Sequence, residues 1–403
     1  MVLPTEARPL DRRLVITALG VAQIFAWGTS FYFPAVFAEP IVAETGWSLG
    51  FVVAGTSLGL LVAGLISPQV GRFIDRRGGR PILLASSLCY AAGLIGIGAS
   101  PALPVYLLAW LLIGLGMGTG LYDAVFAALG RMYGSEARAP ITNLTLFGGF
   151  ASTICWPLSA FMIDHVGWRG ACFIYAAVHL FLVLPLQMAV VRPATSDARS
   201  APADGQHDRE QTAPIDNEAL IFFLLAAVLS IAAGIGSIVV VHLLIFLQVR
   251  GLDFAVAVSL GTLFGPAQVG ARIVERLFGS RYHPIWTMIA SCTLMAVGLL
   301  LLFGAVPALL IVILLYGAGY GISWIGRGTL PLALFGPGRF PRLMGKLAFP
   351  SLIVQALAPS AGALLLETRG VDATVEVLTV FALINVVLIG VLWWLCRKPS
   401  IDG

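Results

Sequence analysis

The sequence predicts an all-α polytopic membrane protein, with twelve transmembrane helices in two pseudo-symmetric six-helix bundles. Three observations lead there. Hydrophobic residues make up 59% of the 403-residue chain and charged residues 11%, with mean hydropathy +0.94, against roughly 25% charged residues in a soluble domain. Long apolar runs recur along the chain. They reach the length of about 20 residues that spans hydrocarbon as a helix, whereas membrane-barrel strands alternate with a period of two. Finally, the charged turn Gly71–Arg80 returns in degraded form at Ala271–Arg281. At one offset of 200 residues, Arg72 lies over Arg272, Asp75 over Glu275 and Arg76 over Arg276. A repeat at half the chain length indicates a duplicated bundle.

The elements follow in order. Met1–Arg13 holds prolines and charges but no apolar core, so a cleavable leader is not expected. The first bundle, 1–191, has apolar spans at 14–38, 48–70, 81–99, 103–130, 140–163 and 168–191. The charged turn separates the second and third of these. Residues 192–217 are rich in Pro, Ala, Asp and Arg and nearly devoid of bulky apolar side chains. Such a segment buries too little surface to offset its chain entropy and reads as a flexible cytoplasmic linker. The second bundle, 218–403, has spans at 218–248, 252–274, 284–304, 306–334, 343–366 and 373–396. Span four carries Gly114, Gly116, Gly118 and Gly120, and span ten Gly317, Gly319 and Gly321. Pro157 in span five matches Pro359 in span eleven at an offset of 202. Small residues at this spacing let membrane helices approach closely.

Charge sets the expected orientation. Twenty of the 24 Lys and Arg, Arg272 among them, fall in segments on the side of the N-terminus, and Arg169, Arg250 and Arg369 on the other side. By the positive-inside rule both termini are cytoplasmic, and the net charge of +4 needs no nucleic-acid partner. A multi-pass protein of a bacterial-type inner membrane follows. Cys89, Cys155, Cys172, Cys292 and Cys396 show no CxxC spacing, so neither a disulfide framework nor a metal site is expected. No GxxxxGK[ST] loop occurs, so an ion or substrate gradient must supply the energy. No cofactor and no enzymatic chemistry are indicated.

The segment Gly71-x-x-x-Asp75-Arg76-x-Gly78-x-Arg80 resembles the loop between helices two and three of the major facilitator superfamily, and the likeness covers the whole chain. Trp27-Gly28-Thr29-Ser30-Phe31-Tyr32, Gly46-Trp47-Ser48 and Gly167-Trp168-Arg169-Gly170 are similar to its monocarboxylate and oxalate/formate branch. That branch carries charge inside span eight, whereas between Ser259 and Gly270 this chain offers only Thr262 and Gln268 as polar side chains. The resemblance implies two rocking bundles with spans one, four, seven and ten around a central site. It implies a proton-coupled, monomeric carrier of a small organic anion, or else an efflux pump for a drug or a metalloid such as arsenite.

Within those spans, a charge at bilayer depth is a functional candidate. Asp123 in span four and Arg327 in span ten are pseudo-equivalent. They read either as a switchable pair, with Arg327 anchoring substrate and Asp123 carrying the proton, or as a structural tie between the bundles. His242 in span seven is a second coupling candidate and a substrate contact, because imidazole titrates near physiological pH. Trp27, Tyr122, Trp324 and Gln23 complete the expected substrate site, aromatic faces with a few polar groups suiting a planar or amphipathic ligand. Gly71, Asp75, Arg76, Gly78 and Arg80, with Glu275 and Arg276 of the copy, form the expected conformational latch.

Overall fold

The structure is a computed structural model that describes residues 11–191, 217–304 and 308–397. The linker expected at 192–217 therefore lies outside the described residues except for Asn217. Over its described residues, every apolar segment expected to span is predominantly helical. The helices of the first half are α1 (Arg12–Gly28), α2 (Pro34–Thr45), α3 (Leu49–Arg77), α4 (Arg80–Gly98), α5 (Leu103–Gly120), α6 (Tyr122–Tyr133), α7 (Arg138–Gly149), α8 (Ala151–Val178) and α9 (Leu184–Val190). Those of the second are α10 (Glu218–Val249), α11 (Phe254–Gly261), α12 (Phe264–Phe278), α13 (Pro284–Phe303), α14 (Leu309–Phe335) and α15 (Phe340–Arg397). Seven helical runs among the described residues are long and apolar enough to cross a membrane. Two of them, Leu103–Val190 and Phe340–Arg397, reach 88 and 58 residues, far beyond the roughly 20 that one crossing needs. These long runs bend at Gly167 (φ 72°) and Gly370 (φ 82°), in the left-handed region that favours glycine.

Hydropathy does not foresee the breaks inside expected spans. Span one is interrupted at Thr29–Phe33, just before Pro34, which lacks the N–H needed to continue a helix. Thr29 and Ser30 turn their hydroxyls back to the carbonyls of Phe25 (2.7 Å) and Ala26 (2.5 Å). Span four breaks at Leu121, whose ψ of −178° follows the glycine ladder. The break leaves the Gly120 carbonyl to accept from Gln23 Nε2 at 2.6 Å and opens a new helix with Asp123 in its first turn. An anion there meets the positive end of the helix dipole.

Buried apolar side chains form one large cluster reaching across both halves and a second among α10, α13, α14 and α15. The halves meet chiefly through α3 and α6 against α15, and through α7 against α12 and α14. At Gly71 a Cβ would stand 2.5 Å from the Pro341 carbonyl and 3.0 Å from Gly345 Cα. Glycine is therefore what permits α3 and α15 to touch backbone to backbone. Ser67 crosses the same seam to the Gly345 carbonyl at 3.0 Å. These contacts lie at the arginine-rich end, so the halves are closed against each other there. At the opposite end the ties stay within a half. Glu44 binds Trp168 Nε1 (2.6 Å) and Arg169 Nε (2.9 Å), and Arg250 pairs with Asp372 at 3.0 Å.

Candidate functional site

The break in span four and the continuous helix α14 bring Asp123 and Arg327 together. Arg327 Nε donates to Asp123 Oδ1 at 2.8 Å and Nη2 to Oδ2 at 2.9 Å, a two-pronged pairing, while Nη1 donates to Ser351 Oγ at 2.5 Å. The side chains are 4% and 14% exposed, so the pair is shielded from solvent. A bidentate guanidinium–carboxylate pair is the strong form of the interaction. Two water-sized spaces flank it. One of about 20 Å³ is lined by Tyr320, Ser323, Trp324 and Arg327, the other of about 10 Å³ by Asp123, Ser67, Gly71 and Gly345.

Trp27, Tyr122 and Trp324 form a triangle of rings, with centroids 5.1, 5.2 and 5.5 Å apart, built from α1, α6 and α14. Phe31, Tyr32, Tyr320 and Phe264 extend it, and the Arg327 guanidinium lies 5.5 Å from the Trp324 ring. Trp27 Nε1 and Gln23 Oε1 are buried at this cluster without a hydrogen-bond partner. Buried polar atoms are rarely left so, because each costs about 1–3 kcal/mol.

Arg272 corrects the sequence reading. Counted among the arginines flanking the spans, it is instead 3% exposed and reaches the middle of the bundle. Its Nε donates to the Gly321 carbonyl of α14 at 2.9 Å, and its Nη1 to the Thr145 carbonyl of α7 at 2.7 Å. The Tyr122 hydroxyl donates to the same Thr145 carbonyl at 3.2 Å. No acid lies within ion-pair distance of the guanidinium among the described residues. Span eight therefore does carry an interior charge. The turn repeat hid it, since Arg72, its counterpart at the offset of 200, is exposed. One signal was available. Gln268 and Arg272 are four residues apart on one face of α12, while Ile273, Val274 and Leu277 are exposed on another. Ser351 was also missed, as a lone serine in an apolar span carries no such signal.

His242 is not brought to this cluster. It is 8% exposed and its Nε2 lies 3.2 Å from the Pro359 carbonyl, within the second half. Cys155 and Cys172 are fully buried.

The turn residues divide. Asp75 Oδ2 accepts from Arg342 Nε at 2.5 Å, at the start of α15, so this acid ties the halves. Arg131 donates to the Asp75 carbonyl. Gly78, at φ 84°, ends α3. Arg76 is exposed and Arg80 half-buried, and neither is tied by an ion pair among the described residues. In the copy, Glu275 accepts from Thr287 at 2.6 Å inside its own half, whereas Arg276 crosses to Asn143. Asp75→Asn is expected to leave membrane insertion intact while lowering transport severalfold, read as initial uptake per inserted protein. Undiminished transport would remove the tie from the working cycle.

The Major Facilitator Superfamily profile matches residues 19–282, well over half of the chain. Monocarboxylate transporter 13 of Bos taurus is 29% identical over 170 residues, covering 41% of this chain and 38% of that protein. Monocarboxylate transporter 11 of Mus musculus is 34% identical over 132 residues, covering 32% and 28%. The matches thus span less than two fifths of these relatives' length. Among solved structures, the human organic anion transporter MFSD10 (TETRAN) superposes with a TM-score of 0.73 at 16% identity, over 94% of this chain and 99% of that one. FucP in the outward conformation gives 0.70 at 12% identity, over 96% and 99%. At these identities the likeness is one of fold.

Proposed function

We propose, from the premise that this chain belongs to the major facilitator superfamily, that it carries a small organic anion, a monocarboxylate, across the membrane by proton-coupled alternating access. The observation that carries the reading is Arg272, a buried guanidinium whose partners are two neutral carbonyls beside an aromatic cluster. An isolated buried charge is costly, and a ligand carboxylate would offset that cost with a paired, charge-assisted hydrogen bond. The aromatic faces and the unpartnered Trp27 Nε1 and Gln23 Oε1 supply the apolar walls and spare polar atoms of a ligand site. Transporter sites of this kind sit at the repeat interface near the bilayer midplane.

This reading moves the substrate-anchoring role expected of Arg327 to Arg272. Arg327 is held by Asp123 and Ser351, so Arg272 is the cation free to take substrate. Asp123 takes the proton. Its carboxylate is the acid facing the buried arginine, and it shares the lining of a water-sized space with Gly71 and Gly345 of the seam. Neutralising Asp123 would remove the charge that holds α6 to α14 and free the halves to rock, 1–191 against 218–403. The charge asymmetry supports both termini inside, with the arginine-rich end cytoplasmic.

The test is uptake of radiolabelled monocarboxylates into proteoliposomes, with and without an inward proton gradient. Gradient-driven accumulation is the expected result. Uptake of neutral or cationic drugs with no response to carboxylates would overturn the reading in favour of an efflux carrier.

A further inference from the structure

A cavity of about 330 Å³ opens at the arginine-rich end, away from the central site and lined by Arg12, Arg138, Arg276, Glu136 and Glu275. Its walls come from α1, the segment just before α7, α7 itself and α12, so both halves contribute. Arg138 Nη2 donates across the seam to the Gly279 and Tyr282 carbonyls at 2.6 and 2.7 Å, and Arg276 to Asn143. Arg12 pairs with Glu136 at 2.6 Å, and Glu275 is engaged by Thr287. Three guanidiniums against two carboxylates leave one positive charge uncompensated. Each arginine also keeps N–H groups beyond those used in these bonds.

The flank of this cavity is apolar. Ile273, Val274, Leu277 and Phe278, on the helix that supplies Glu275 and Arg276, are 45–61% exposed, as befits a face turned to acyl chains. Leu14, two residues beyond Arg12, is 52% exposed. A basic pocket between spanning helices at the level where charge meets an apolar face has the chemistry of a lipid-headgroup site. We infer that this cavity binds the phosphate of an anionic phospholipid, one negative charge matching the one excess arginine, with the acyl chains lying along α12. Because both halves wall it, the bound lipid holds the arginine-rich end closed.

The purified full chain is examined by native mass spectrometry with dioleoyl phosphatidylglycerol, dioleoyl phosphatidylcholine and soluble glycerol 3-phosphate as probes. Phosphatidylglycerol is expected to be retained over phosphatidylcholine. Its retention should fall roughly tenfold or more in Arg12→Gln/Arg276→Gln, which loses two headgroup cations, and rise in Glu136→Gln, which loses a competing acid. Arg397→Gln, at an arginine that does not line the cavity, should behave as wild type. Glycerol 3-phosphate binding with the same arginine dependence would support the phosphate site and name a soluble ester as its source. Failure of the soluble ester to bind would support the lipid. Equal retention of the two lipids, or undiminished phosphatidylglycerol in the double variant, overturns the inference. The opposite response of Glu136→Gln separates a lost site from a misfolded protein.

Discussion

Arg272→Gln is expected to lower monocarboxylate uptake by roughly 100-fold while leaving the fold intact or more stable. The first effect follows from the loss of a charged hydrogen bond to the ligand, worth up to about 3 kcal/mol, or about two decades in affinity. The second follows from the environment. The guanidinium is 3% exposed and meets carbonyls but no acid, so the folded protein bears its desolvation cost. Glutamine keeps a donor for the Thr145 or Gly321 carbonyl and removes the charge. Initial uptake rates in proteoliposomes and thermal melting check the two halves separately. Wild-type uptake would end the anchor role, and a large fall in melting temperature would make Arg272 a structural cation. The same logic requires that a transported carboxylate stabilise the wild type, by about 2.7 kcal/mol at a hundredfold excess over Kd, and fail to stabilise the glutamine variant.

The second expected result concerns the charge pair. Asp123→Asn leaves Arg327 buried without its carboxylate, a change that costs about 3–5 kcal/mol when one partner of a buried pair is removed. Asp123→Asn/Arg327→Gln removes both charges, and its stability should return most of the way to wild type. Neither variant should accumulate substrate in response to a proton gradient, since neither has the titrating acid. Denaturant melts of the single and double variants give the coupling energy, and pH-jump uptake gives the transport result. Gradient-driven accumulation by Asp123→Asn would take the proton away from this residue and return attention to His242, which stands apart at the Pro359 carbonyl.

The sequence reading and the structure agree where one kind of interaction dominates. Solvation by hydrocarbon dictates the helical class, and each expected apolar segment is predominantly helical over its described residues. The repeat paired Asp123 with Arg327 because duplication preserves depth along a helix, and depth is readable from position in the span. The same repeat misplaced Arg272, since alignment with the exposed Arg72 says nothing about which way a side chain turns. The breaks at Thr29 and Leu121 also escaped hydropathy. They arise from Pro34 and from the local geometry of the glycine ladder, and hydropathy averages over such features.

By itself the sequence determined the membrane, the helices, the duplicated turn and the depth of the acid and base, because those depend on composition, period and spacing. Only the tertiary structure decided the remaining partners. It added Ser351 to the Asp123–Arg327 pair, left Arg272 with two carbonyls, and set Glu275 inside its own half while Asp75 reaches across. The reason is physical. Coulomb energy and desolvation in an apolar interior depend on the position of groups to within about an ångström. Those positions are set by helix breaks and by backbone contacts such as Gly71 on Gly345, between segments more than 250 residues apart.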